Sequence, residues 1–244
     1  MEKIDSILPD WIVDQLSLGQ NLLVDGDRSD LNQTYWRMLS MCCPLIFEKY
    51  AIVLHSFAIN QKIKELFKAG QEVFEDPLSN PDTHTISWAD FFKLYHQEFN
   101  FENSYYIQNI IRKEIVKDSW PPYIWYPAEG NLDKEEFSEI FLKIKNLYND
   151  QVVNYFYSLL KTKSWGNDIL YKGLLSEFHK LKEEDEIKDN PTAVFPNTKE
   201  WCIISDYDLP FTFIGGSGKL IDSITNDTEY EIFQIGPKYA VNKK

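Results

Sequence analysis

The sequence predicts an α+β fold: one domain, 1–244, with a mixed, largely antiparallel sheet of about five or six strands and helices packed on it. Three observations carry this. Apolar residues recur at helical spacing in several segments up to residue 150. From residue 151 onward, short β-branched and aromatic runs alternate with turn residues. The strands then come in pairs, without a regular strand–helix–strand alternation. The chain is therefore helix-rich over 1–150 and strand-rich over 151–244, and no linker is long enough to divide it. With 244 residues, 43% of them hydrophobic, it has ample material for a core.

"DWIVDQLSLGQ" (10–20) places Trp11, Ile12, Leu16 and Leu18 on roughly one helical side, and "LVDGDRSD" (23–30) is a turn. "LNQTYWRMLSMCC" (31–43) reads as a helix that Pro44 ends. "YAIVLHSFAI" (50–59) is apolar nearly throughout, as suits a strand buried on both faces. "NQKIKELFKAG" (60–70) is a short helix stopped by Gly70, and 75–86 is a polar, proline-containing loop. Ser87 stands three residues before Asp90, a cap for the helix carrying Trp88, Phe91, Phe92 and Tyr95. "YYIQNIIRKEIV" (105–116) is a further helix. Asp133 and Glu136 form a second cap signature, before Phe137, Ile140, Phe141, Ile144 and Leu147 at i, i+3, i+4, i+7 spacing. Strands are expected at 151–160, 168–175, 200–208, 210–216 and 228–235. Helix is expected at 176–188 and over "SGKLIDSIT" (217–225), and a loop at 190–197.

Charge restricts the partners. The balance of 25 Lys+Arg against 38 Asp+Glu gives −13, and basic residues are interleaved with acidic ones, as in "KLKEEDEIKDN" (180–190). Such a surface repels nucleic acid and anionic lipid and steers toward basic proteins. Three cysteines, Cys42, Cys43 and Cys202, make a poor disulfide framework and read as buried thiols of a reducing cytoplasm. "MEKIDSILPDWIVDQL" lacks a signal-peptide pattern, and no stretch is apolar enough to span a bilayer. The expected compartment is the cytoplasm, with no membrane association.

"FIGGSGKL" (213–220) raises the question of a phosphate-binding loop. The P-loop pattern G-x-x-x-x-G-K-[ST] fails at both ends, where Phe213 and Leu220 stand. Gly215 and Gly216 are expected to serve an awkward turn, with Ser217 capping the helix. A glycine-rich helix start could still hold an anion. His55, alone in an apolar run, is either a hydrogen-bonded core residue or a functional one. Asp206 and Asp208 present two carboxylates on one side of a strand end, for a cation, a shared proton or simply a turn. A triad of His55, Asp206 and Ser217 lacks a G-x-S-x-G elbow. "WPPYIWYPAEG" (120–130) crowds Trp120, Tyr123, Trp125 and Tyr126 beside Glu129; the rings either roof the core or anchor a partner. No metal-ligand spacing and no cofactor signature is visible.

The tail "FPNTKEWCIISDYDLPFTFIGGSGKLIDSITNDTEYEIFQI", with "YAIVLHSF" and "WPPYIWYPAEGNLD" upstream, resembles an uncharacterised bacterial protein family. The resemblance implies no catalytic residues. In character, as a small acidic α+β protein, the chain is similar to the immunity proteins of bacterial toxin systems. The expectation is a non-enzymatic, cytoplasmic protein-binding protein with a basic partner, Trp125 and Tyr126 anchoring it. The alternative is a hydrolase-like enzyme for a small molecule, with His55, Asp206 and Asp208 near Gly215–Ser217. Far-UV circular dichroism should show both helix and strand; a spectrum without strand would overturn the fold class.

Overall fold

The computed structural model describes residues 1–4, 9–12, 35, 38–39, 41–71, 82–101, 120–158, 161–164, 168–226 and 228–236. The chain is α+β, and its paired strands are antiparallel throughout. The strand number is larger than the sequence suggests: eight strands in one sheet and three in another. Two compact units are formed, one by Met1–Leu54 with Glu129–Lys244, the other by His55–Ala128. The expected helix at 105–116, the turn at 23–30 and most of the expected helices at 10–20 and 31–43 lie outside the described residues.

The first unit holds β1 (Glu2–Ile4), β2 (Lys49–Leu54), α3 (Lys134–Tyr148), β6 (Val152–Tyr157), β7 (Ile169–Leu174), a 3-10 helix (Leu175–Glu183), β8 (Ala193–Pro196), β9 (Cys202–Ile204), β10 (Phe211–Gly216), α4 (Gly218–Asn226) and β11 (Ile232–Ile235). The sheet order is β1-β7-β6-β8-β9-β10-β2-β11. Both faces of its central strands are buried, which explains the unbroken apolar runs in β2, β8 and β10. One face carries Val53, Tyr155, Trp201, Ile203 and Ile214 against Phe137, Ile140 and Ile144 of α3 and Leu220, Ile221 and Ile224 of α4. On the other, Trp11 meets Phe195 edge-on at 5.7 Å and Tyr35 meets Phe211 at 5.6 Å.

The second unit holds β3 (Phe57–Asn60), α1 (Gln61–Lys68), β4 (Thr83–Ile86), α2 (Trp88–Leu94) and β5 (Ile124–Trp125), its sheet ordered β4-β3-β5. Its core is aromatic. Phe57 stacks on Phe91 at 4.2 Å, and Trp88, Trp120 and Tyr126 close around it. Both helices are capped: Ser87, as expected, accepts from the Asp90 N–H at 3.0 Å, and Asn60, for which no cap was expected, accepts from the Ile63 N–H at 2.9 Å.

Several elements correct the sequence reading. The run 50–59 is two strands in two sheets, parted at His55–Ser56. Residues 83–86 and 193–196, read as loops, are strands. The helix at 176–188 is a shorter 3-10 helix. Asp133 starts α3 without a side-chain cap bond, so the expected reciprocal cap is only half made. No helix among the described residues is long and apolar enough to cross a membrane.

Gly130 and Gly70 both have positive φ, +66° and +71°. A Cβ on Gly130 would lie 2.6 Å from Tyr207 Cα and 2.8 Å from Asp206 O, whereas Gly70 has open space around it. Gly130→Ala should therefore cost about 3 kcal/mol or more, through strain and overlap with backbone together. Gly70→Ala should cost about 1 kcal/mol, through strain alone. Equal costs in denaturant unfolding would contradict this.

Candidate functional site

The GGSGK segment is filled by the chain's own side chains. Gly215 and Gly216 have no positive φ; they continue β10. Glycine is required there for close approach: a Cβ on Gly215 would overlap the Phe47 ring, and one on Gly216 would stand 2.7 Å from Leu220 Cδ2. The awkward-turn explanation is thus replaced by a packing one. Two of the N–H groups at the α4 start are also taken. Gly218 N–H donates to Glu48 Oε2 at 2.8 Å, and Leu220 N–H donates to Ser217 Oγ at 3.3 Å. Ser217 Oγ further bonds Tyr148 Oη at 2.8 Å. The anion that this helix end favours is Glu48.

His55 belongs to the second unit, while Asp206, Asp208 and Gly215–Ser217 belong to the first. His55 is fully buried. Its Nδ1 lies 2.5 Å from the Ala128 carbonyl oxygen and so donates to it, while its own carbonyl accepts from Trp88 Nε1 at 2.8 Å. Because His55 and Ala128 are the two ends of the second unit, this bond clasps the base of the inserted segment. Trp120 and Tyr126 are core rings: Trp120 stacks on Phe91 at 5.9 Å and donates from Nε1 to the Ile124 carbonyl. Trp125 is half-buried in β5 opposite Ala58. Tyr123, also half-buried, lies beside exposed Phe67 at 5.8 Å and under Lys64 Nζ at 5.9 Å.

The Asp206–Asp208 pair forms a turn. Asp206 Oδ1 accepts the Asp208 N–H at 2.9 Å, and the Asp206 carbonyl accepts the Leu209 N–H at 3.2 Å. Burial, then the nearby Asp208 charge, pushes the Glu129 carboxyl up. Behind this turn, Lys161 is fully buried and donates from Nζ to the Gly130 carbonyl. Burial pulls its ammonium down to about 8, against the attraction of Asp189 and Asp206. No group of three acidic, histidine or cysteine side chains among the described residues is arranged to hold a metal ion. Two thiols are held protonated: burial pushes Cys42 up to about 12, and burial first, then the neighbouring Cys202, holds Cys43 well above its ordinary value.

Sequence reasoning missed an acidic face at the start of α3. The charges of Glu139, Glu136, Glu135 and Glu229 act on Tyr230, whose hydroxyl is raised first by burial and then by them. Glu231 joins from the strand side, where it acts on Glu136. Glu136 lies beneath, 2% exposed. It accepts the Asp133 backbone N–H, the one half of the expected cap that forms, and its Oε2 has no hydrogen-bond partner among the described residues. Burial first, then Asp133, Glu231 and Glu135, pushes this carboxyl up to about 8 despite that bond. The sequence signal was the pair Glu135–Glu136 in the first turn of a helix; its meeting with 229–231 is a tertiary fact.

Comparison with protein-family models, curated proteins and solved structures finds no match to the chain. The site's chemistry therefore rests on its own geometry.

Folded Glu136 keeps its proton up to about pH 8, whereas the unfolded chain releases it near 4.5. Between these values the folded state binds more protons, so stability falls as pH rises. Glu136→Gln, which cannot ionise, should flatten that slope and gain about 1–3 kcal/mol at pH 8. Parallel slopes in urea unfolding from pH 5 to 8 would show that Glu136 ionises as an ordinary carboxylate.

Proposed function

We propose that the protein acts by binding, as a bacterial cytoplasmic protein that engages a basic protein partner through the acidic face around Tyr230. The observation that carries this is the convergence of Glu135, Glu139 and Glu229 on one half-buried tyrosine. A phenol ring amid carboxylates offers apolar area and charge together, the combination that receives an arginine or lysine side chain. Lys143, 2.9 Å from Glu139, neutralises part of the face; Glu135 and Glu229 are exposed. The net charge of −13 steers a basic partner toward it and disfavours nucleic acid. Binding a basic toxin in the manner of an immunity protein agrees with this character, and the raised thiols of Cys42 and Cys43 suit a reducing compartment.

The anchor shifts accordingly from the aromatic loop to Tyr230. Trp120 and Tyr126 pack in a core, and Tyr123 sits beside Lys64 on a helix that also carries Lys62 and Lys68, a local charge unsuited to a basic partner.

Immobilised protein should retain a basic partner at ~0.05 M salt and release it at ~0.5 M. The double substitution Glu135→Lys/Glu229→Lys should weaken retention about tenfold or more, leaving the unfolding midpoint nearly unchanged because both side chains are exposed. Retention that ignores salt, or survives the double charge reversal, would reject this reading.

A further inference from the structure

The first unit contains a cavity of about 230 Å³ between the 3-10 helix and residues 187–190. A water occupies roughly 30 Å³ of liquid volume, so the space suits an organic molecule of about ten heavy atoms. Its floor is apolar, made by Tyr157, Phe178, Leu181 and Ile187. Its polar wall is built rather than accidental. Asn190 donates from its backbone N–H to Asn131 Oδ1 at 3.3 Å and from Nδ2 to the Leu132 carbonyl at 2.6 Å, which ties two lining residues to the start of α3.

The charge around this cavity runs opposite to that of the protein. Lys182 and Lys188 line it, against a single carboxylate, Asp189. Asp189 already acts on the buried ammonium of Lys161. The Lys188 N–H donates to the Lys161 carbonyl at 3.1 Å, so this third lysine is fixed behind the wall. The acids nearby in sequence have other partners: Glu184 accepts the Tyr171 hydroxyl at 3.3 Å, Glu186 pairs with Lys3, and Glu177 holds Lys180 at 2.6 Å. Glu183 and Asp185 are exposed and do not line the space.

We propose that this cavity is a binding site for a small organic carboxylate, its apolar body on Phe178, Leu181 and Ile187 and its carboxylate between Lys182 and Lys188. The apolar floor supplies affinity through buried area, and the lysines select the charged over the neutral form. The site is separate from the acidic face, and its occupancy does not depend on a protein partner.

Phenylacetate is the probe, titrated into the full chain and followed by NMR chemical shifts and calorimetry. Expected is saturable binding, with shifts concentrated on the cavity lining. The neutral isostere phenylacetamide should bind about tenfold more weakly or worse, and so should phenylacetate to Lys182→Gln/Lys188→Gln, one lost charge contact being worth about that factor. Both lysines are exposed, so the double variant should keep the parent circular dichroism spectrum. The proposal is overturned if phenylacetate gives no saturable shift up to about 20 mM. It is equally overturned if phenylacetamide binds as well, or if the double variant binds phenylacetate unchanged.

Discussion

The carbonyl oxygen of Gly130 is the point from which the first unit's loops are set. It accepts from the Lys161 ammonium and from Ser205 Oγ at 3.1 Å, and Thr212 Oγ1 in turn donates to Ser205 Oγ at 3.0 Å. The Gly130 N–H donates to the Leu209 carbonyl at 2.8 Å. A buried ammonium is costly, and it is tolerated here because a fixed carbonyl receives one proton while Asp189 and Asp206 supply the countercharge. Only glycine meets the positive φ and the 2.6 Å approach to Tyr207 Cα. This knot joins the end of β6, the turn between β9 and β10, and the entry to α3. Asn131, on the cavity wall, and Asp133, at the start of the acidic face, are the first and third residues beyond it.

Two ionisable groups are buried near this entry, and burial acts on them in opposite senses. Desolvation disfavours charge in both, raising Glu136 and lowering Lys161. Glu136 is surrounded by other acids and becomes neutral at pH 7; Lys161 has two carboxylates near it and keeps its proton. A neutral Glu136 beneath Glu135, Glu139, Glu229 and Glu231 limits the repulsion stored under that face. The acidic character of the surface and the local excess of lysine at the cavity are thus separate arrangements in one unit, not two readings of one net charge.

Legibility in the sequence followed the range of the interactions. Helical periodicity put Phe137, Ile140, Phe141 and Ile144 on one face of α3, and all four are buried. Ser87 caps its helix with a bond to the Asp90 N–H three residues away. Short β-branched and aromatic runs between turn residues located β6, β7 and β10. Thr83–Ile86 escaped because its sequence, THTI, lies at a sheet edge with two exposed residues, so burial imposes no pattern. Ala193–Pro196 escaped because its flanking prolines signal a loop, although all four of its residues are buried in the sheet. The break at His55–Ser56 was hidden because both halves of 50–59 are apolar. What separates them is the bond from His55 to a carbonyl 73 residues away. The acidic face brings Glu135 together with Glu229, and the cavity brings Asn131 to Asn190, so a short window shows one part of each and not the meeting.

The glycines at 215, 216 and 218 show how the same residues can misdirect a search for chemistry. A glycine can be demanded by its own dihedral angles, by a ligand's approach, or by another part of the chain. Only the last holds here: Phe47 covers Gly215, Leu220 covers Gly216, and a Cβ on Gly218 would stand 2.7 Å from Glu48 Oε1. Since the Glu48 carboxylate also accepts the Gly218 N–H, a phosphate at the start of α4 would have to displace a charge already in place. Lys49, beside it in sequence, is held 2.7 Å from Asp222. The electrostatic preference of this helix start for an anion is met from within the chain by Glu48.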